Sequence, residues 1–555
     1  MPKNLTACEY SAPALALNLH PARRAAAPCR DADSSTMTRR DFLEKAGRYG
    51  GATFTAMTAL GLLSRASGRG AELQGLPAIA TGKPGTKVII LGAGIAGMAA
   101  AYELGKLGFN CTVLEASQRP GGRSLTLRKG DTLTDTLGHT QTCTFDDGHY
   151  FNAGPARFPQ WQVTMDYCRE LGVAVEPFIN VNENALYYNE GVAGPLAGKR
   201  IRQREAKADT RGHVAELLAK AVNTDKLDQK FTAEDKERVL EFLRREGDLN
   251  ADTLAYEGSS RRGFKTWPAV TTAGTMDPAL ELLALLQANF SVHFHRNNEF
   301  EYQSALFQPV GGMDMLAKAL FAKVKPVVRF GCAAKEIRKT PNGARVVYTE
   351  GAETKEFLAD HCICTLPPPI LRTTAHDFGA MLKNTLNIIP FQNSARMGIQ
   401  FKRRFWEEDD RIFGGISWTN QPINEIYYPS HGFFQPKGVL IGYYMFGPPS
   451  DEVTQLTPAD RIEYAMKQGE KLHPQYRAEF DNAFSVNWST VPHIKGCLSH
   501  FPEKLTKTLY PFLIKPDGNL HLAGDWASHL GGWQAGAFES ARHVVKNIHS
   551  KVASA

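Results

Sequence analysis

Apolar and polar positions follow two different rhythms along this chain. Lys87-Val-Ile-Ile-Leu91 is continuously apolar after its first residue and rich in β-branched side chains, which predicts a buried strand. Met98 to Leu104 has the spacing of a helix, and Cys111-Thr-Val-Leu114 reads as a second strand. Gln308-Pro-Val-Gly-Gly-Met-Asp314 leads into an amphipathic helix. Beyond it lie a strand at 327–330, a hairpin of 344–348 with 355–358 around Glu350-Gly351-Ala352, and a strand at 361–366 stopped by three prolines. Residues 156–300 read as largely helical. Thr232-Ala-Glu-Asp235 predicts a capping box, and Asp277-Pro278 opens a helix. Leu280, Leu282, Leu283, Leu285 and Leu286 surround that second helix, which predicts that it is buried. Residues 373–500 read as β-rich, including 396–401, 425–428 and 439–444, and the chain closes on a helical run to Ile548.

The chain has 555 residues, of which 43% are hydrophobic and 22% charged. That exceeds one typical domain and has none of the bias of a disordered chain. The formal charge of +7 is uneven: residues 1–70 hold ten Lys/Arg and five Asp/Glu. The remainder is close to balanced, which argues against nucleic acid as a partner. The nine cysteines form no CxxC pair and no metal spacing, so they are expected to be buried free thiols, and no metal is expected.

Thr38-Arg39-Arg40-Asp41-Phe42-Leu43 precedes a weakly apolar run ending near Leu63. A basic pair before a short apolar segment resembles a twin-arginine export signal, too short for a stable membrane span. Residues 1–70 are therefore expected to be a leader that directs the protein to the periplasm or outside the cell. Met37 stands directly before the signal and is a candidate true start.

Gly92-Ala-Gly94-Ile-Ala-Gly97 lies between the first strand and the helix, and the second strand ends on Glu115. Gly92 permits the tight turn, Gly94 lets backbone approach a pyrophosphate, and Gly97 allows close helix–strand packing. The helix N-terminus faces the phosphates, and Glu115 can bind ribose hydroxyls. Strand, glycines, helix, strand and acid in this order predict dinucleotide binding. Arg119-Pro-Gly121-Gly122-Arg123 then offers a second phosphate contact. Near the other end, Gly524-Asp525-Trp526 and Gly531-Gly532-Trp533 again place an acid and glycines before a helix. A single dinucleotide site would have to draw on segments more than 400 residues apart.

Arg119 to Ser124 resembles the extended FAD motif of the flavin amine oxidases, and the resemblance covers nearly the whole chain after residue 84. Within that superfamily it points to the L-amino acid oxidases. Gly154-Pro155-Ala156-Arg157-Phe158-Pro159 matches the family's Gly-x-x-Arg-x-Pro, and Phe405-Trp406-Glu407, Gly414-Gly415 and Ile426-Tyr-Tyr-Pro429 match at family spacing. The resemblance implies an α/β fold: a Rossmann-like FAD-binding domain built from 84–155, 301–372 and 505–555. It further implies an α+β substrate-binding domain from 156–300 and 373–504, with a helical insertion. The cofactor is expected to be FAD, held by Gly92, Gly94, Gly97, Glu115, Gly122, Arg123, Gly154, Pro155, Ala156, Arg157, Ala334, Gly524, Asp525 and Trp533. Arg157 would bind the substrate carboxylate by a two-point contact. Tyr443 would donate a second hydrogen bond to it, and Gly532 and Trp533 would line the amino side.

The reaction so implied is oxidative deamination of an L-amino acid, with hydride passing from Cα to flavin N5. The products are a 2-oxo acid, ammonia and hydrogen peroxide. One departure stands out. Many family members carry a lysine near flavin N5, and counting back from Phe405-Trp406 puts Arg396 there, in a catalytic position with Trp533. Arginine cannot shed a proton near neutral pH, so an electron carrier rather than dioxygen is an alternative acceptor. A tryptophan 2-monooxygenase-like decarboxylase, an amine or polyamine oxidase and a dehydrogenase stay open as alternatives. A homodimer is expected by analogy alone.

Overall fold

Lys87–Leu91 pairs in parallel with Asn110–Leu114 on one side and His361–Cys364 on the other. This computed structural model describes residues 85–554 apart from 228, 500 and 502. The leader and its export motif lie outside the described residues. Val328–Arg329 and Leu520–Leu522 complete a five-stranded parallel sheet at its two edges. Alternation along Lys87–Leu91 explains its unbroken apolar run. Val88 and Ile90 pack toward the helices Ile95–Lys106 and Gln534–Ser554, while Ile89 and Leu91 meet Val346, Tyr348 and Leu382 behind the sheet. A strand covered on both faces has no position for a polar side chain. Cys362 and Cys364 share the second of these clusters as free thiols, and burial pushes Cys364 up to about 12. The expected hairpin forms as Gly343–Glu350 with Glu353–Ala359, in a four-stranded sheet.

A second, seven-stranded sheet runs in the order Ile201–Arg202, Leu186–Tyr188, Ile416–Thr419, Glu425–Tyr427, Gly438–Phe446, Ser394–Phe401, Phe480–Asn487. Met397, Ile399, Leu440 and Tyr443 bury one face of it together with Ala465 and Met466 of helix Pro458–Leu472. Helices Gln203–Asn223 and Ala233–Gly247 pack through Ala215, Ala219, Leu240 and Leu243. Thr232 caps the second helix by accepting from the Asp235 N–H at 3.1 Å.

Two expectations fail in detail. The helix foreseen from Asp277-Pro278 is only Leu282–Gln287. Leu285 is 2% exposed, but Leu283 and Leu286 are 71% and 51% exposed, because only one side of so short a helix meets the core. The strand at 361–366 stops at Cys364, ahead of Pro367, whose nitrogen cannot donate. No helix among the described residues is long and apolar enough to cross a membrane.

Candidate active site

A cavity of about 900 Å³ runs from the ends of the parallel strands to the open face of the seven-stranded sheet. At the first end, Gly94 begins helix Ile95–Lys106 with no side-chain cap, so its first N–H groups are free for an anion. A Cβ on Gly94 would meet nothing within 4 Å, which leaves the room a pyrophosphate needs. Gly97 is not on the cavity wall. A Cβ there would fall 2.0 Å from the Gly92 carbonyl oxygen, so it serves the strand–helix packing instead. Glu115 lines the cavity and is held by the Ala93 N–H at 2.7 Å and the Ser117 N–H at 2.8 Å. Gly92, Gly122 and Ala334 lie on the same walls.

The two chain ends meet through Arg123 and Asp525. Arg123 forms a two-point pair with the Asp525 carboxylate and donates to the Cys497 carbonyl. Asp525 also accepts from the Gly532 N–H at 2.9 Å, which fixes the turn that carries Trp533. Sequence reasoning assigned Arg123 to a phosphate and Asp525 to the cofactor chain. Both, with Gly524, line the cavity, but each takes the other as its charge partner. A dinucleotide with a ring system at its far end fits these walls: uncapped helix N–H groups, a carboxylate for ribose, and aromatic surfaces beyond.

Gly154, Pro155 and Ala156 line the cavity together with Arg157. A Cβ on Gly154 would lie 1.9 Å from the Arg123 carbonyl oxygen, so glycine allows the two loops to touch. Arg157 Nη1 donates to the Tyr427 hydroxyl at 3.2 Å, and its Nε has no partner. Its guanidinium centre lies 4.9 Å from the Tyr302 ring and 5.4 Å from the Tyr427 ring. Burial pushes the Tyr427 phenol well above its usual range, so it stays protonated and can donate. Trp533 lines the same space, its ring 5.9 Å from Tyr302, beside Gly532.

Tyr443 is a correction. Its ring is fully buried behind the sheet among Met397, Phe405 and Tyr476, and it does not reach the cavity. The strand Gly438–Phe446 carries a register shift: Met397 pairs with Tyr443, but Gly398 pairs with Ile441. One extra residue reverses the alternation, so Tyr444 takes the cavity face. Tyr302, Tyr427 and Tyr444 are the tyrosines that line the cavity among the described residues.

Arg396 lines the cavity, and its contacts are to protein groups. It lies flat on Tyr444, 3.5 Å from the ring centre, and donates to the Gly154 carbonyl and, at 3.2 Å, to that of Asn152. It therefore positions the loop that carries Arg157. His293 and His295 do not line the cavity. His293 stacks on Trp418 at 5.1 Å, and burial lowers it to about 4.

Sequence reasoning missed Arg296, Tyr302 and Glu425. Arg296 and Tyr302 line the cavity. Glu425 is fully buried behind Tyr427, and burial raises its carboxyl despite the opposing charges of Arg296 and Arg157. The Ile426-Tyr-Tyr-Pro429 match was a signal for Tyr427. Nothing in the local sequence marked the other three.

Residues 95–549 match the model of the flavin containing amine oxidoreductases, so the chain belongs to that family and its cofactor is FAD. A putative L-amino-acid oxidase, YobN, of Bacillus subtilis (strain 168) is 26% identical over 83% of this chain and 94% of its own length. An L-amino-acid oxidase of Pseudechis australis is 25% identical over 83% and 86%. Among solved structures, putrescine oxidase bound to putrescine shares the fold with a TM-score of 0.57, at 17% identity over 84% of this chain and 99% of that one.

Proposed function

We propose that this enzyme oxidises L-amino acids to imino acids, which water hydrolyses to 2-oxo acids and ammonia, with dioxygen reduced to hydrogen peroxide. The observation that carries this reading is Arg157: a guanidinium in an aromatic-walled cavity, with a tyrosine hydroxyl as its hydrogen-bond partner and, among the described residues, no carboxylate in an ion pair with it. A substrate carboxylate supplies the missing charge and can take two parallel hydrogen bonds. The Tyr427 hydroxyl is placed to donate a third. Held at that end, the substrate has its Cα fixed in orientation, and the rings of Tyr302 and Trp533 exclude water from it. FAD, when bound, supplies the acceptor for the two electrons. Arg396 keeps Arg157 in register by holding the Asn152 and Gly154 carbonyls.

The second reading, an amine oxidase, is favoured by the fold shared with putrescine oxidase. A diamine brings no carboxylate, however, and would place positive charge beside Arg157. The monooxygenase, the dehydrogenase and a homodimer are further readings of the same fold, and export by the twin-arginine route is part of the proposal. The test is to mix the holoenzyme anaerobically with L-amino acids, their D-forms and the decarboxylated amines, following loss of oxidised flavin absorbance. Bleaching by L-amino acids alone supports the reading; bleaching by amines alone overturns it. Admitting air then separates an oxidase from a dehydrogenase.

A further inference from the structure

Arg157 is not the only guanidinium at this end of the cavity. Arg296, on the short turn Arg296–Asn298, lines the same space. Its guanidinium centre is 5.1 Å from the Trp418 ring and 5.8 Å from the Tyr302 ring. Arg157 approaches the same Tyr302 ring at 4.9 Å. The two guanidinium centres are thus no farther apart than those two distances laid end to end. An arginine stacked on aromatic faces keeps its planar fork free for a ligand.

Among the described residues nothing occupies that fork. Among the described residues Arg296 Nε has no hydrogen-bond partner and Arg296 makes no ion pair. Glu425 is the carboxylate that acts on it most strongly, but its Oε1 accepts from Asn424 Nδ2 at 3.0 Å and its Oε2 is unpartnered. Burial also raises the Glu425 carboxyl, which weakens its value as a counter-charge. The other cavity arginines are occupied. Arg123 is paired with Asp525, Arg119 donates to the Gly122 carbonyl at 2.8 Å, and Arg396 is tied to two carbonyls. A monocarboxylic amino acid would satisfy Arg157 and leave Arg296 facing an apolar side chain, which costs desolvation with no return.

We infer that Arg296 is a specificity-determining residue that takes a second carboxylate, so that the preferred substrates are L-amino acids with acidic side chains. The inference rests on the proposed oxidation of L-amino acids. The α-carboxylate lies on Arg157 and Tyr427. The side-chain carboxylate lies across the Tyr302 ring on Arg296.

The test uses the anaerobic holoenzyme with L-glutamate, L-aspartate, L-glutamine and L-leucine, and reads the second-order rate constant of flavin reduction. In the native protein one of the two acidic substrates is expected to exceed both glutamine and leucine by at least roughly tenfold. Arg296→Met is expected to lower the acidic-to-leucine ratio by roughly 10- to 100-fold, the value of a charge-assisted hydrogen bond. Arg296→Lys should recover part of that ratio, since it keeps the charge but not the fork. Leucine or glutamine matching the acidic substrates in the native protein overturns the inference and leaves the proposed function standing, without any variant having to fold. An unchanged ratio in Arg296→Met overturns it as well. Reduction by none of the L-amino acids, with amines active, overturns the proposed function and the inference together.

Discussion

Replacing Arg157 by methionine separates binding from folding. The side chain is partly buried, yet its protein contacts are one 3.2 Å hydrogen bond to a neutral phenol and the faces of three rings. Methionine keeps much of the apolar contact and removes a charge that makes no ion pair, although Glu425 acts on it through space, so thermal stability should change little. Substrate binding loses two charge-assisted hydrogen bonds of about 1.5–3 kcal/mol each. Together they give about 3–6 kcal/mol, and at roughly 1.4 kcal/mol per factor of ten the second-order rate constant for L-amino acids should fall roughly 10²- to 10⁴-fold. Tyr427 remains and can still donate, which favours the lower half of that range. The assay is anaerobic stopped-flow reduction of the flavin across substrate concentrations, for an L-amino acid and its decarboxylated amine, in native and variant protein. The loss must be confined to the carboxylate-bearing partner of each pair. If the variant reduces the L-amino acid within threefold of the native rate, or if both substrates suffer equally, Arg157 does not bind a carboxylate and the reasoning is wrong.

Three other outcomes are expected. Tyr427→Phe should raise KM for L-amino acids about tenfold by removing one donor to a charged group, whereas Tyr443→Phe should leave KM as it is; the reverse result would restore Tyr443 to the site. Arg396→Lys should weaken both FAD retention and the grip of Arg157, with KM up about tenfold, because an ammonium can neither lie flat on Tyr444 nor hold both carbonyls. Unchanged flavin release and KM would show that the loop keeps its place without the guanidinium. His361 and His521 are 4% and 2% exposed, and burial lowers them from 6.5 to about 4 and about 3. Below pH 6.5 the unfolded chain takes up protons that these two refuse in the folded state. Their contribution is therefore complete above pH 6.5 and falls as the pH drops toward 4 and then 3. Melting temperature against pH should fall less steeply across that window in a His361→Gln, His521→Gln double variant; parallel curves would count against it.

The local sequence determined those parts of this protein whose physics is local. Lys87–Leu91 had to be a strand covered on both sides, because no polar residue interrupts it. The glycines at 92, 94 and 97 announced a dinucleotide site, because turn, phosphate approach and helix packing each exclude a Cβ at a fixed spacing. Thr232 announced its cap for the same kind of reason. Family-spaced motifs carried the reading further, to Arg157 on the cavity wall. Tertiary structure alone decided which face of Gly438–Phe446 meets the cavity. A one-residue bulge against Ser394–Phe401 exchanges Tyr443 for Tyr444, and alternation along a strand cannot foresee where the partner strand slips. It also decided that Arg123 and Asp525, 402 residues apart, neutralise each other. Arg296 and Glu425 belong to the same class. Each sits in unremarkable local sequence, and its meaning comes from what folding sets beside it: two aromatic rings and a free guanidinium fork in one case, a carboxyl without water in the other. Charge and desolvation act through space, so a site built from separated segments becomes legible only when those segments meet.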